Sequence, residues 1–167
     1  MAFFNNSSLI GVDFNTASTT QLFALGTTAE GSDGSLWQYV VASTSVSAYA
    51  VVAINVAGTC AMASVVDAVS GLQLAVSQIA IPASSYAWVP VHGVGGPNGT
   101  FKVLCSATMS GGNALYVGSQ TGVVSIQASS SATVQGITVY AASGADHATT
   151  TSLACVISWP KCTYNGN

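Results

Sequence analysis

The chain has 167 residues, a length that suits one domain with an appended arm. Only 4% of them are charged, with Lys102 and Lys161 the sole cations, no arginine, five acidic residues and a net charge of −3. So few cations exclude a nucleic-acid footprint, which needs Lys and Arg to displace counterions from phosphates, and exclude a polybasic membrane patch.

The first segment, MAFFNNSSLIGVDFNTASTTQL, is rich in Asn, Ser and Thr yet carries Phe3, Phe4, Leu9, Ile10 and Phe14. A disordered linker does not usually hold three phenylalanines. Residues 1–22 are therefore expected to form an extended arm that docks on a neighbouring subunit, with Phe3, Phe4 and Phe14 as its anchors. The segment has no basic n-region and no long apolar stretch, so it does not read as a signal peptide. Its Asn5 and Asn6, like Asn98, open N-x-[ST] sequons that are expected to be inert without one.

Beyond the arm, helix-forming Glu, Lys and Arg are almost absent, while Val, Thr, Ser and Gly abound. Short apolar or alternating stretches recur about every ten residues between Gly, Ser, Asn or Pro, the pattern of an all-β protein. Strands are predicted at 23–28, 35–42, 46–56, 59–66, 72–81, 86–92, 101–109, 113–118, 122–128, 134–142 and 151–158. That series implies an all-β sandwich or barrel of about 10–11 short antiparallel strands, occupying residues 23–159. PKCTYNGN, residues 160–167, reads as a short exposed C-terminal tail. Residues 34–66 contain no charge, but Ser, Thr, Gln, Asn or Gly interrupts every apolar run. None approaches the ~18 residues of a spanning helix. A transmembrane β-barrel shares the alternation, but with no signal peptide no membrane partner is expected.

The first candidate site along the body is EGSDG, where Glu30 and Asp33, two of the five acidic residues, fall close together. A calcium loop opening at Asp33 would need a Glu at its twelfth position, where Thr44 stands. Asp-Gly between strand-like runs is a hairpin signal, since primed turns need positive φ. The acidic pair therefore reads as a turn. Tyr86 and Trp88 lie on one face of a predicted strand. They could stack a sugar ring, although filling a core is the commoner use of such a pair. The glycine-rich run after His92, VGGPNG, fails the phosphate-loop spacing at Asn98, and Pro97 removes a backbone donor. Asp146 and His147 are adjacent, but no G-x-S-x-G elbow accompanies them, so a polar loop is the reading there.

Cys60, Cys105, Cys155 and Cys162 form neither C-x-x-C nor a Cys/His cluster, which argues against zinc. The first three sit in apolar strand-like runs and are expected to be buried free thiols. A Cys155–Cys162 bridge is the one disulfide to check. No metal, cofactor or catalytic residue is expected. A β body so poor in acid, base and cation has backbone, hydroxyls and apolar surface to offer, which suits packing in a repetitive assembly.

The run FALGTTAEGSDGSLWQYVVA, through Leu25, Gly26, Thr27, Asp33, Gly34, Tyr39, Val40 and Ala42, resembles the opening of small head-decoration proteins of tailed bacteriophages. GLQLAVSQIAIPASSYAWVPVHG is similar to a later stretch of the same family, through Gly71, Ala75, Tyr86, Trp88, Val89 and Gly93. ALYVGSQTGVVS adds Leu115, Tyr116 and Gly122, so the resemblance covers residues 23–128. It implies a non-enzymatic virion protein on the capsid exterior, a homo-oligomer with a trimer favoured, bound to the major capsid protein as decoration or cement. The sequence departs from that pattern in its scarcity of charge and its aromatic-rich arm. A carbohydrate- or receptor-binding appendage or tail component, using Tyr86 and Trp88, is the alternative.

Overall fold

The structure is a computed structural model that describes residues 12–70, 72–93, 101–106, 114–117, 120–125, 132–140 and 151–164. The protein is all-β: β1 (Thr28–Glu30), β2 (Leu36–Ala42), β3 (Val51–Ile54), β4 (Thr59–Met62), β5 (Gln73–Val76), β6 (Tyr86–Gly93), β7 (Phe101–Cys105), β8 (Leu115–Val117), β9 (Val124–Ser125), β10 (Ala132–Tyr140) and β11 (Thr151–Tyr164), with one short helix among the described residues, α1 (Val65–Val69). Alternation explains most strands. In β7, FKVLC, Phe101, Val103 and Cys105 are buried while Lys102 is exposed. In β3 all four residues of VVAI are buried, because both faces are covered.

The pairings close on themselves. One circuit runs β2–β4–β3–β5–β11–β6 and returns to β2; a second runs β11–β10–β8–β9–β7 and returns to β11. The long β11 is common to both. Its first half, residues 151–155, pairs with β7, and its second half meets β6 and β5. Closure of this kind removes exposed sheet edges, which a chain with few charges cannot otherwise protect.

The sheet is mixed, whereas all strands were expected to be antiparallel. β2 pairs β4 in parallel, and β7 pairs β9 in parallel. The cause is connection length. Residues 43–50 carry the chain past one strand position before β3, and the tight Asn55–Gly58 turn then brings β4 back between β3 and β2. In that turn the Asn55 carboxamide oxygen accepts the amides of Ala57 and Thr59, at 2.9 and 3.0 Å.

Two further boundaries differ from the sequence reading. The predicted strand 59–66 stops at Met62, and α1 follows. Ser64 caps that helix: its amide and hydroxyl both donate to Asp67 Oδ2, at 2.8 and 2.7 Å, while its Oγ faces the Asp67 amide at 3.4 Å. This is a capping box, and Ser64-Val65-Val66-Asp67 carries its signature in the sequence. The segment read as an exposed tail is, as far as Tyr164, the end of β11, with Pro160 and Cys162 buried. Proline breaks a regular ladder, but here it sits at a bulge where β10 offers only Gly136 opposite Ser158–Pro160. Gly136 has φ +80°, and a Cβ there would strike Ser158 O and Pro160. The bulge turns Trp159 outward, with φ +48° and 52% exposure.

Cys155 and Cys162 lie on this one extended strand, seven residues apart, so about 20 Å separates them. A disulfide needs Cα atoms within about 7 Å. All four thiols are free and buried.

Two buried clusters fill the fold. One is aliphatic apart from Cys60, built from Val40, Val52, Ile54, Ile81, Val89, Val91 and their neighbours. The other holds every aromatic side chain of the core and continues between β7, β8, β10 and β11.

Candidate functional site: the aromatic face beneath residues 12–22

The site begins at the hairpin tip. β1 and β2 pair from Glu30↔Leu36, so EGSDG is the β1–β2 turn, with Gly34 at φ +77°. The strand expected at 23–28 starts only at Thr28 and runs on to Glu30, because residues 25–26 turn first. Gly31 donates to Ser35 O at 2.7 Å and Gly34 donates to Gly31 O at 3.0 Å. Asp33 Oδ1 accepts the Ser35 amide at 3.0 Å and the Ser35 hydroxyl as well. Ser35 Oγ in turn accepts the indole N–H of Trp37 at 2.7 Å. A Cβ on Gly31 would lie 2.6 Å from both Asp33 Oδ1 and Ser35 Oγ, so only glycine admits this relay. Partial burial pushes the Asp33 carboxyl up, but the Ser35 hydroxyl and nearby amides outweigh it and hold it below the usual carboxylate range. The carboxylate thus satisfies a buried indole through one serine.

Trp37 anchors an aromatic series. Phe14 stacks on it with centroids 4.5 Å apart and planes 12° off parallel. Phe101 meets its other side edge-on at 5.6 Å. Phe14 also sets its edge to Trp88 at 5.8 Å, and Phe23 reaches Trp88 and Tyr39 at 5.2 and 5.3 Å. Tyr39 then stacks nearly parallel to Tyr86, at 6.0 Å and 12°. Such contacts add roughly 0.5–1.5 kcal/mol each beyond area burial.

Residues 12–22 lie over this face. Ser18 and Tyr86 exchange backbone hydrogen bonds at 2.9 and 2.7 Å, and the Leu22 amide donates to the Tyr39 hydroxyl at 3.1 Å. Asp13 fixes the bend before them by accepting the Asn15 amide at 2.8 Å and the Thr16 hydroxyl at 2.6 Å. Those donors, Thr16 first, hold its carboxyl below the usual range. Two clefts remain beside the segment. One, about 320 Å³, runs between Asp13, Phe14, Ser32 and Asp33. The other, about 490 Å³, is lined by Asp13, Thr16, Thr19, Leu22 and Tyr86, over Tyr39 and Trp88.

Phe14, expected to anchor a neighbour, therefore packs on its own domain. Phe3 and Phe4 lie outside the described residues, as do Asn98, Asp146 and His147. Trp88 is 3% exposed and belongs to the core, whereas Tyr86 is only half-buried. His92 stacks on Trp159 at 6.1 Å and 22°, with Nδ1 buried and lacking a hydrogen-bond partner among the described residues. Trp159 escaped the sequence reading because its outward turn depends on Gly136 across the ladder.

Burial pushes the thiols of Cys60, Cys105 and Cys155 up to about 12, and that of Cys162 to about 11. They are protonated at neutral pH and poor nucleophiles. Among the described residues no three His, Cys, Asp or Glu side chains gather as metal ligands, and no helix is long and apolar enough to cross a membrane.

The class defined by this fold is an all-β protein whose mixed sheet closes on itself and whose aromatic core is roofed by an N-terminal segment. No family model, curated protein or solved structure matches the chain.

Proposed function

We propose that the protein is a non-enzymatic structural component of a bacteriophage virion, decorating or cementing the capsid exterior through contacts with its own copies and with the major capsid protein. The observation that carries this reading is a nearly uncharged surface with large apolar side chains standing out from it. Leu22, Val56, Val66, Tyr140 and Trp159 are all more than half exposed, in a chain with seven charged residues. Such a surface repels other copies weakly and gains from burial at repeated contacts. The resemblance read in the sequence of residues 23–128 suits the same role. The protonated thiols, and carboxylates of Asp13 and Asp33 held in the ionised form, offer no primed nucleophile or proton donor near neutral pH.

Phe14 holds residues 12–22 to their own domain, so Phe3 and Phe4 are the anchors assigned to a neighbour. Burying one such ring contributes roughly 1.5–3 kcal/mol. Removing residues 1–11 is expected to leave the circular dichroism spectrum unchanged and to weaken binding to phage particles, measured by co-sedimentation. Unchanged particle binding would remove the arm from the proposal; absence of any binding by the full chain would sink the proposal itself.

A further inference from the structure

We infer that the cleft between Asp13 and Leu22 binds a neutral sugar ring, with Tyr86 as its platform; this inference stands independently of the assembly proposal. The cleft's volume, about 490 Å³, falls within the roughly 300–1,000 Å³ of small-molecule sites. Its floor is aromatic. Tyr86 leaves part of its ring open while its inner side is held flat by the parallel stack on Tyr39, and its backbone is pinned by both bonds to Ser18. A ring fixed in this way offers a π face to the C–H side of a pyranose without losing rotamer freedom on binding.

The rim supplies polar groups for a polyol. Asp13 is exposed and carries a carboxyl held below the usual range, so it is an acceptor at any ordinary pH. Asn15 and Thr16 occupy two of its lone-pair positions, and an ionised carboxylate has about four, leaving room for sugar hydroxyls. Thr19 adds a hydroxyl that can donate or accept, and Thr16, whose hydrogen goes to Asp13, adds one that can accept. Leu22, 65% exposed, closes the apolar side of the mouth.

Charge and geometry narrow the ligand class. Asp13 is the one charged side chain among the cleft's described lining residues, and neither Lys102 nor Lys161 reaches it. Phosphates, uronates and sialic acids therefore meet repulsion with nothing to offset it. A quaternary ammonium is the other ligand that favours aromatics beside a carboxylate, but it needs several open ring faces around it. Tyr39 and Trp88 are 2% and 3% exposed, so the cleft has one platform and no cage.

The test uses the full chain with glucose, galactose, mannose, N-acetylglucosamine and their disaccharides, alongside choline and sialic acid. Saturation-transfer NMR finds the ligand and titration calorimetry measures it. Expected is saturable binding of at least one neutral sugar, with transfer strongest to one C–H face. Comparing monosaccharides with disaccharides tells a free sugar from the end of a glycan chain. Tyr86→Ala is expected to weaken binding at least tenfold, Tyr86→Phe to preserve it within about threefold, and Asp13→Asn to cost about tenfold. Tyr86→Phe and Asp13→Asn keep the packing, so a misfolded Tyr86→Ala would not blunt the test. Binding by no neutral sugar, preference for choline or sialic acid, or unchanged binding in Asp13→Asn and Tyr86→Ala would each overturn the assignment. Sugar binding by a chain that never binds particles would support this site and count against the assembly proposal alone.

Discussion

The two buried clusters solve the same problem with different side chains. The aliphatic one, around Val40, Val52, Ile54 and Val89, contains no aromatic ring and is built from β2 to β6, five of the six strands of the first circuit, and the loop residues that flank them. The aromatic one, around Trp37, Tyr39, Trp88 and Phe101, takes other positions of β2, β3, β5 and β6 and extends over β7, β8, β10 and β11, and residues 12–23 cover part of it. Small β-branched residues fit the tight interior of a closed ring of strands, where bulk would force the ring open. Rings of Trp and Tyr size need a wider space, and they bring an N–H or O–H that must find a partner. Ser35 Oγ accepts the Trp37 N–H, and the Tyr39 hydroxyl oxygen accepts the Leu22 amide. Where strands and their flanking loops close the core, only Ala17 of residues 12–22 packs against it. Where a segment closes it, the molecule is left with clefts, exposed Leu22 and a half-open Tyr86.

The largest expected effect tests what the two clusters share. Cys60 lies in the aliphatic one and Cys105, Cys155 and Cys162 in the aromatic one. Unfolded thiols ionise near pH 9, whereas the folded ones stay neutral to about pH 11–12. Their contribution is therefore complete below about pH 9 and is lost as pH rises toward the folded values. The urea midpoint should fall steadily above pH 9, and Cys60→Val should reduce that slope by about a quarter, one thiol in four. A midpoint that stays level from pH 9 to 11 would contradict the burial of the thiols.

Next comes the contrast in side-chain size. Trp37→Ala should cost roughly 3–5 kcal/mol in urea unfolding, against roughly 0.5–1.5 for Ile54→Val in the aliphatic cluster. Equal costs would mean that the aromatic cluster relaxes into the space that Trp37 leaves. Phe14→Ala should cost at most about 1.5 kcal/mol, because that ring is only partly buried. It should also alter the near-ultraviolet dichroism of Trp37 while leaving the far-ultraviolet spectrum intact. A change in both would show that the β body depends on the segment above it.

Asp33→Asn is the finest test. One screened, exposed carboxylate is worth about 0.5–1 kcal/mol through its bonds to Ser35. The carboxyl lies below its ordinary 3.8 in the folded state, so its stabilisation is present above about pH 4 and lost as pH falls below that. The gap between wild type and Asp33→Asn should hold constant at neutral pH and close in acid. A gap that persists at pH 2 would assign the effect to the amide, not to lost charge.

Much of the body was legible because its signals are local. Period-two alternation located most of the strands, Asp33-Gly34 marked the hairpin, and apolar flanks marked Cys60, Cys105 and Cys155 as buried. The α1 capping box was also written in Ser64 and Asp67, but the apolar Val65-Val66 beside it imitates a strand. The sequence reading ended the last strand at residue 158 and left Pro160 in an exposed tail; only its position opposite Gly136 shows why β11 continues past it.

Composition and alternation determined by themselves that this is an all-β protein, that cations are scarce, and that EGSDG is a turn. These are consequences of local geometry and of charge, which need no partner across the fold. The tertiary structure decided which strands run parallel, that β11 joins two circuits, that Trp159 faces outward, and that Phe14 seals the core of its own chain. Each of those depends on residues far apart in sequence meeting at one place, and no short window of sequence records such a meeting.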